Sequence, residues 1–168
     1  MDAGTLKKIQ EPLKNQYKTS PETAVVTLKA RSRISDGISC KIETGRALVE
    51  AGLHPATGGD GTLACSGDML LEALAACAGV TLKAVATSIG FRLDDAAVLA
   101  EGDLDFRGTL AVDKGAEVGF KAIRMKFELA TPEPDDKIET LIRLTERYCV
   151  VYQTLSKGNH VSVATKRI

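Results

Sequence analysis

The chain has 168 residues, enough for one domain with a real hydrophobic core. Its 44% hydrophobic and 26% charged residues are ordinary for a soluble globular protein. Lysine plus arginine equals aspartate plus glutamate, at 22 each, so the chain has no electrostatic footprint for nucleic acid or an anionic membrane. The same neutrality leaves self-association unopposed by charge.

Residues 1–21 read as an N-terminal arm. Leu6, Ile9 and Leu13 recur at helical spacing, which fits either a short amphipathic arm docked on a partner subunit or a frayed tail. Met1 to Asn15 holds no apolar run that could act as a signal core. The apolar stretch Met69 to Val80 is too short to span a bilayer, and Glu72 and Lys83 punctuate its helix. The expected location is therefore the cytoplasm, where four cysteines are buried apolar residues, metal ligands or reactive thiols rather than a disulfide framework.

Residues 22–168 read as one domain. Thr23 to Ala30 is rich in β-branched residues, and Gly37 to Thr44 alternates Ile38, Cys40 and Ile42 against polar neighbours. With the turn signal Ser35-Asp36-Gly37 between them, the two predict a hairpin. His54 to Gly67 is a glycine-rich loop. Asp68 to Ile89 predicts the strongest helix, roughly 30 Å long and closed by Gly90. Its apolar residues run almost all the way round, so it is expected to be buried with other elements wrapped around it.

Val98 to Thr109 and Phe120 to Ala130 alternate as a second strand pair. Asp135 and Asp136 suit a helix N-terminus, and one apolar face runs from Ile138 through Cys149 to Leu155. Val161 to Lys166 predicts a closing strand. Antiparallel strand pairs with two buried helices make an α+β fold.

Four cysteines and two histidines match no zinc spacing, and Gly58-Gly59-Asp60-Gly61 lacks the Lys-Ser/Thr of a phosphate loop, so neither metal nor cofactor is expected. His54 fits a loop position or a pocket mouth, His160 the start of the last strand, Cys40 the core and Cys65 a half-exposed site before the long helix. On spacing alone, Cys77 and Cys149 are either small apolar core residues or reactive thiols.

The segment Ser66-Gly67-Asp68-Met69-Leu70-Leu71-Glu72-Ala73-Leu74-Ala75-Ala76-Cys77 resembles the central-helix motif of the OsmC/Ohr (osmotically inducible, organic hydroperoxide resistance) family. Glu146 to Leu155, with Cys149 inside it, is similar to that family's second motif. The resemblance implies an intertwined homodimer, with antiparallel sheets wrapped around two long central helices. It implies a thiol peroxidase in which Cys77 attacks an organic hydroperoxide, Cys149 resolves the sulfenic acid as a disulfide, and a dithiol such as a lipoyl group resets the pair. The thiolate-stabilising arginine would come from the first hairpin, as Arg31 or Arg33. Two positions depart from the pattern: Gly67 stands where a glutamate braces that arginine, and Val150 where a proline commonly follows the second cysteine. A non-catalytic dimeric binding protein of the same fold is the alternative.

Overall fold

The computed structural model describes residues 2–5, 7, 8, 10, 11, 19, 31–34, 39–43, 48–111 and 113–167. Described residues between Ala3 and Glu11 are helical, while Leu6, Ile9 and Leu13, which carried the amphipathic pattern, lie outside the described set.

β1 (Arg31–Ile34) pairs antiparallel with β2 (Ser39–Glu43), Ile34 opposite Cys40. The second strand of the expected hairpin is there, but its partner is Arg31–Ile34, later in the chain than expected; Thr23 to Ala30 and the turn itself fall outside the described residues. β2 continues antiparallel into β3 (Leu48–Gly52), a strand the alternation did not reveal. β3 then pairs in parallel with the two-residue β4 (Ala64–Cys65), which corrects the expectation of antiparallel pairs alone. The glycine-rich segment between β3 and β4 begins with a 3₁₀ turn at Pro55–Thr57 and returns to set Ala64 opposite Ala51.

α1 (Ser66–Ile89) follows directly. Gly90 ends it at φ 68°, a left-handed conformation that glycine adopts without a Cβ penalty. The Phe91 N–H donates to the Ala86 carbonyl at 2.9 Å, closing a Schellman-type cap that turns Phe91 into the core.

β5 (Asp95–Leu104) and β6 (Phe120–Ala130) form a long antiparallel ribbon over α1. Val98, Ala100, Gly102 and Leu104 lie on the covered face, alternating with exposed Ala97, Leu99, Glu101 and Asp103. Gly102 is required there: a Cβ would lie 2.5 Å from the Phe120 ring. β5 stops short of its expected end at Thr109, because Phe106–Thr109 forms a helical turn.

α2 (Asp135–Tyr148) and α3 (Val150–Lys157) replace the single helix expected here; the chain breaks at Cys149, whose ψ of 108° is extended. Leu82, Val85, Ala86, Phe91 and Leu141 form the core, joining the C-terminal half of α1 to α2 beneath the ribbon. Burying Leu82 and Leu141 contributes about 1.5–3 kcal/mol each.

Two expectations fail in the single chain. Val161 to Lys166 forms no strand: no described strand lies beside it, and Val161 and Val163 stand 80% and 87% exposed. α1 is not wrapped all round either. It buries Leu74, Ala78, Leu82, Val85 and Ala86, but leaves Val80 73% exposed. By length and composition alone α1 could cross a membrane, a test that core helices of soluble proteins also pass.

Candidate functional site

Cys77 lies mid-way along α1, half-buried; Cys149 sits at the α2–α3 break and is fully buried. Cys149 caps both helices. Its N–H donates to the Thr145 carbonyl at 2.9 Å and ends α2, while its carbonyl accepts from the Gln153 N–H at 2.9 Å and starts α3. The Gln153 side-chain amide donates to the Glu146 carbonyl at 2.8 Å, tying the two helices across the break. Thr145, also fully buried, donates its hydroxyl to the Leu141 carbonyl at 2.8 Å and so enters the core satisfied.

The break has an electrostatic consequence. The first N–H groups of a helix have no carbonyl partner within it. Those of Val150 and Val151 are directed at Cys77. Burial pushes the Cys77 thiol up, but the Val151 N–H, the Cys149 thiol, the Val150 N–H and the Thr81 hydroxyl together hold it below the ordinary thiol value. Cys149 moves the opposite way. Burial raises it, the Tyr152 and Val151 N–H groups oppose that, and the hydrogen bond and charge of the adjacent Cys77 sulfur add to the rise. The two thiols are therefore driven apart in acidity, Cys77 the more acidic of the pair and Cys149 the less. The single hydroxyl proton of Thr81 is shared between the Cys77 sulfur and the Cys77 carbonyl, 2.7 Å away.

A mainly apolar cavity of about 310 Å³ is bounded by Leu74, Phe120, Ile123, Met125, Tyr152 and Leu155, with Lys121 and Ser156 at its polar edge. Leu74 is one helical turn before Cys77, and Tyr152 lies on the first turn of α3.

The structure brings Cys77 and Cys149 together from elements far apart in sequence. Arg31 and Arg33 lie on β1, opposite Glu43 and Lys41, but their side chains fall outside the described residues, as does that of Cys40. Cys65 is a half-buried free thiol at the N-cap of α1. His54 accepts the Ala56 N–H at Nδ1 (3.0 Å) and stacks on Phe106 at 4.9 Å. His160 is exposed on the C-terminal segment rather than on a strand. A Cβ at Gly67 would meet Leu104, Phe120 and the Cys65 sulfur at 3.5–3.6 Å, ordinary contact. No group of three or more metal-ligating side chains occurs among the described residues.

Sequence reasoning did not single out Thr81, Gln153 or the Val150 and Val151 amides. The available signal was the β-branched pair Val150-Val151 just after the basic Arg147, a poor continuation of a helix.

A family model described as "OsmC-like protein" matches residues 59–164. No curated protein matches the chain. Among solved structures, an OsmC-like protein from Mycoplasma pneumoniae is 15% identical with a TM-score of 0.67, covering 79% of this chain and 89% of that one. An organic hydroperoxide resistance protein OsmC from Legionella pneumophila is 17% identical with a TM-score of 0.62, covering 79% and 91%. The organic hydroperoxide resistance protein OhrB of Bacillus subtilis is 21% identical with a TM-score of 0.53, covering 80% and 93%. At these identities the likeness is one of fold.

Proposed function

The chain belongs to the OsmC-like family, and on that premise we propose that it is a cysteine-based peroxidase that reduces organic hydroperoxides. The observation that carries this reading is the hydrogen-bonded Cys77–Cys149 pair, with Cys77 the more acidic thiol. The names of the Legionella and Bacillus neighbours point the same way.

The thiolate, not the thiol, is the nucleophile. The Cys77 thiolate attacks one peroxide oxygen, the O–O bond breaks, and the alkoxide leaves with a proton as the alcohol. Cys77 is left as a sulfenic acid. Cys149 then gives up its proton and attacks that sulfur. The S–O bond breaks, water leaves, and a Cys77–Cys149 disulfide forms before the sulfur can climb to sulfinic acid. A dithiol reductant returns both thiols. The mainly apolar cavity that begins at Leu74, one helical turn from Cys77, suits the alkyl part of the peroxide. Arg31 or Arg33, on β1, is assigned the cation that further stabilises the thiolate.

The working unit is a homodimer. α1 leaves small or apolar positions Ala73, Ala76 and Val80 exposed, and the Val161 to Lys166 segment has the alternation of a strand without a neighbour. A second copy can cover both. The proposed location is the cytoplasm, whose reducing poise suits a thiol enzyme.

Titration with cumene hydroperoxide tests the reading. The expected result is loss of both Cys77 and Cys149 thiols per peroxide consumed, with full recovery on adding a dithiol. A second reading, a non-catalytic dimeric protein that binds an apolar ligand in the same cavity, predicts ligand binding with every thiol retained.

A further inference from the structure

The two helix ends that meet at Cys149 also bring together charges that are remote in sequence. Arg143 and Arg147 on α2 and Lys157 at the end of α3 line one open cleft of about 710 Å³. Glu146 is the one carboxylate among its lining residues. Among the described residues none of the three cations forms an ion pair, Arg147 lying instead 5.7 Å over the Tyr148 ring, whereas Arg92, Arg124, Lys126 and Lys137 elsewhere are paired. In a chain of zero formal charge this is a local positive excess. The helix macrodipole favours Arg147 and Lys157 in their last turns. It does not account for Arg143, nor for the convergence of all three, which follows from the break at Cys149.

The cleft adjoins the site. Tyr152 and Ser156 line both it and the apolar cavity that starts one turn from Cys77. A molecule held by its negative charge at the cleft can therefore extend an uncharged arm toward the cysteine pair. Cations gathered at a cleft raise the encounter rate of an oppositely charged partner and confer salt dependence on it.

We propose that Arg143, Arg147 and Lys157 form the docking surface for an anionic dithiol, the reductant that reopens the Cys77–Cys149 disulfide. This rests on the peroxidase reading and adds the charge and entry side of the reductant. Cys149 is fully buried, so attack falls on the half-buried Cys77. One thiolate of the dithiol bonds to the Cys77 sulfur and the Cys77–Cys149 bond breaks. Cys149 leaves as a thiolate beside the Tyr152 and Val151 N–H groups and takes up a proton. The second thiol of the reductant then displaces Cys77, and the dithiol departs as its own disulfide. Two electrons pass from reductant to protein.

The experiment compares dihydrolipoate with dihydrolipoamide, the same dithiol with and without a carboxylate, as reductants of the peroxide-oxidised full-length protein. Dihydrolipoate is expected to reduce it roughly three- to tenfold faster at low ionic strength. That advantage should vanish near 1 M salt, where the Debye length is about 3 Å. It should also vanish in the Arg143→Ala/Arg147→Ala/Lys157→Ala protein, with dihydrolipoamide unchanged throughout. The salt arm uses the wild-type chain and holds even if the triple variant folds poorly. Equal rates for the two dithiols, with the disulfide fully reduced by both, overturn the docking claim and leave the peroxidase reading standing. A charge preference confined to the oxidative half, seen as linoleic acid hydroperoxide outrunning its methyl ester while the dithiols tie, assigns the cleft to substrate and also overturns it. Absence of any Cys77–Cys149 disulfide after peroxide removes the peroxidase reading and this proposal with it.

Discussion

At the scale of single residues, the site is two neighbouring sulfurs of unequal acidity. A thiol held below its ordinary value keeps more thiolate at neutral pH, and one held above it keeps less. Iodoacetamide should therefore label Cys77 well below the pH at which it labels Cys149, read by peptide mapping across a pH series. Coincident profiles would remove the asymmetry. The Val150 amide is part of its cause. A hydrogen bond to a charged group is worth about 1.5–3 kcal/mol, and proline is well tolerated at the first position of a helix. Val150→Pro should thus keep α3 while deleting one N–H to Cys77, slowing Cys77 alkylation near neutral pH several-fold with an unchanged circular dichroism spectrum. An unchanged rate would show that the Val150 N–H does not reach the sulfur. Both cysteines were legible as residues, through the two motifs around them. Their unequal acidity was not, because it depends on backbone groups exposed by a helix break.

At the scale of elements, α1, β6 and the start of α2 stand where hydrophobic spacing and the Gly90 and Asp135 signals place them. The break at Cys149 escaped notice because the apolar face of α2 runs on into α3; periodicity sees a face, not a change of axis. β3 and β4 escaped because one holds a glycine and the other has two residues, too short to show alternation. Arg31 and Arg33, expected from the first hairpin, stand on its strand β1. Whether one of them serves Cys77 is answered by alanine replacement. The effective one should slow Cys77 alkylation near neutral pH without changing the thermal midpoint; unchanged rates in both variants would exclude the first hairpin. Leu82, which joins α1 to α2 at 1% exposure, offers the contrasting case. Leu82→Ala should cost about 2–5 kcal/mol in a denaturant titration, and a loss under 1 kcal/mol would mean that the core is misplaced.

At the scale of the whole molecule, the single chain leaves uncovered what its sequence says should be covered: one flank of α1 and the apolar alternation of 161–166. The homodimer reading predicts twice the chain mass by light scattering at micromolar concentration. It also predicts that Val80→Arg, a charge on the most exposed apolar position of α1, shifts the species toward monomer. The central claim, that Cys77 is the sulfur that attacks peroxide, is tested most directly in the Cys149→Ser protein. There the sulfenic acid has no resolving thiol and can be trapped with dimedone after one equivalent of cumene hydroperoxide. The account predicts a single dimedone adduct that maps to Cys77. An adduct on Cys65, or none at all while peroxide persists, would contradict it.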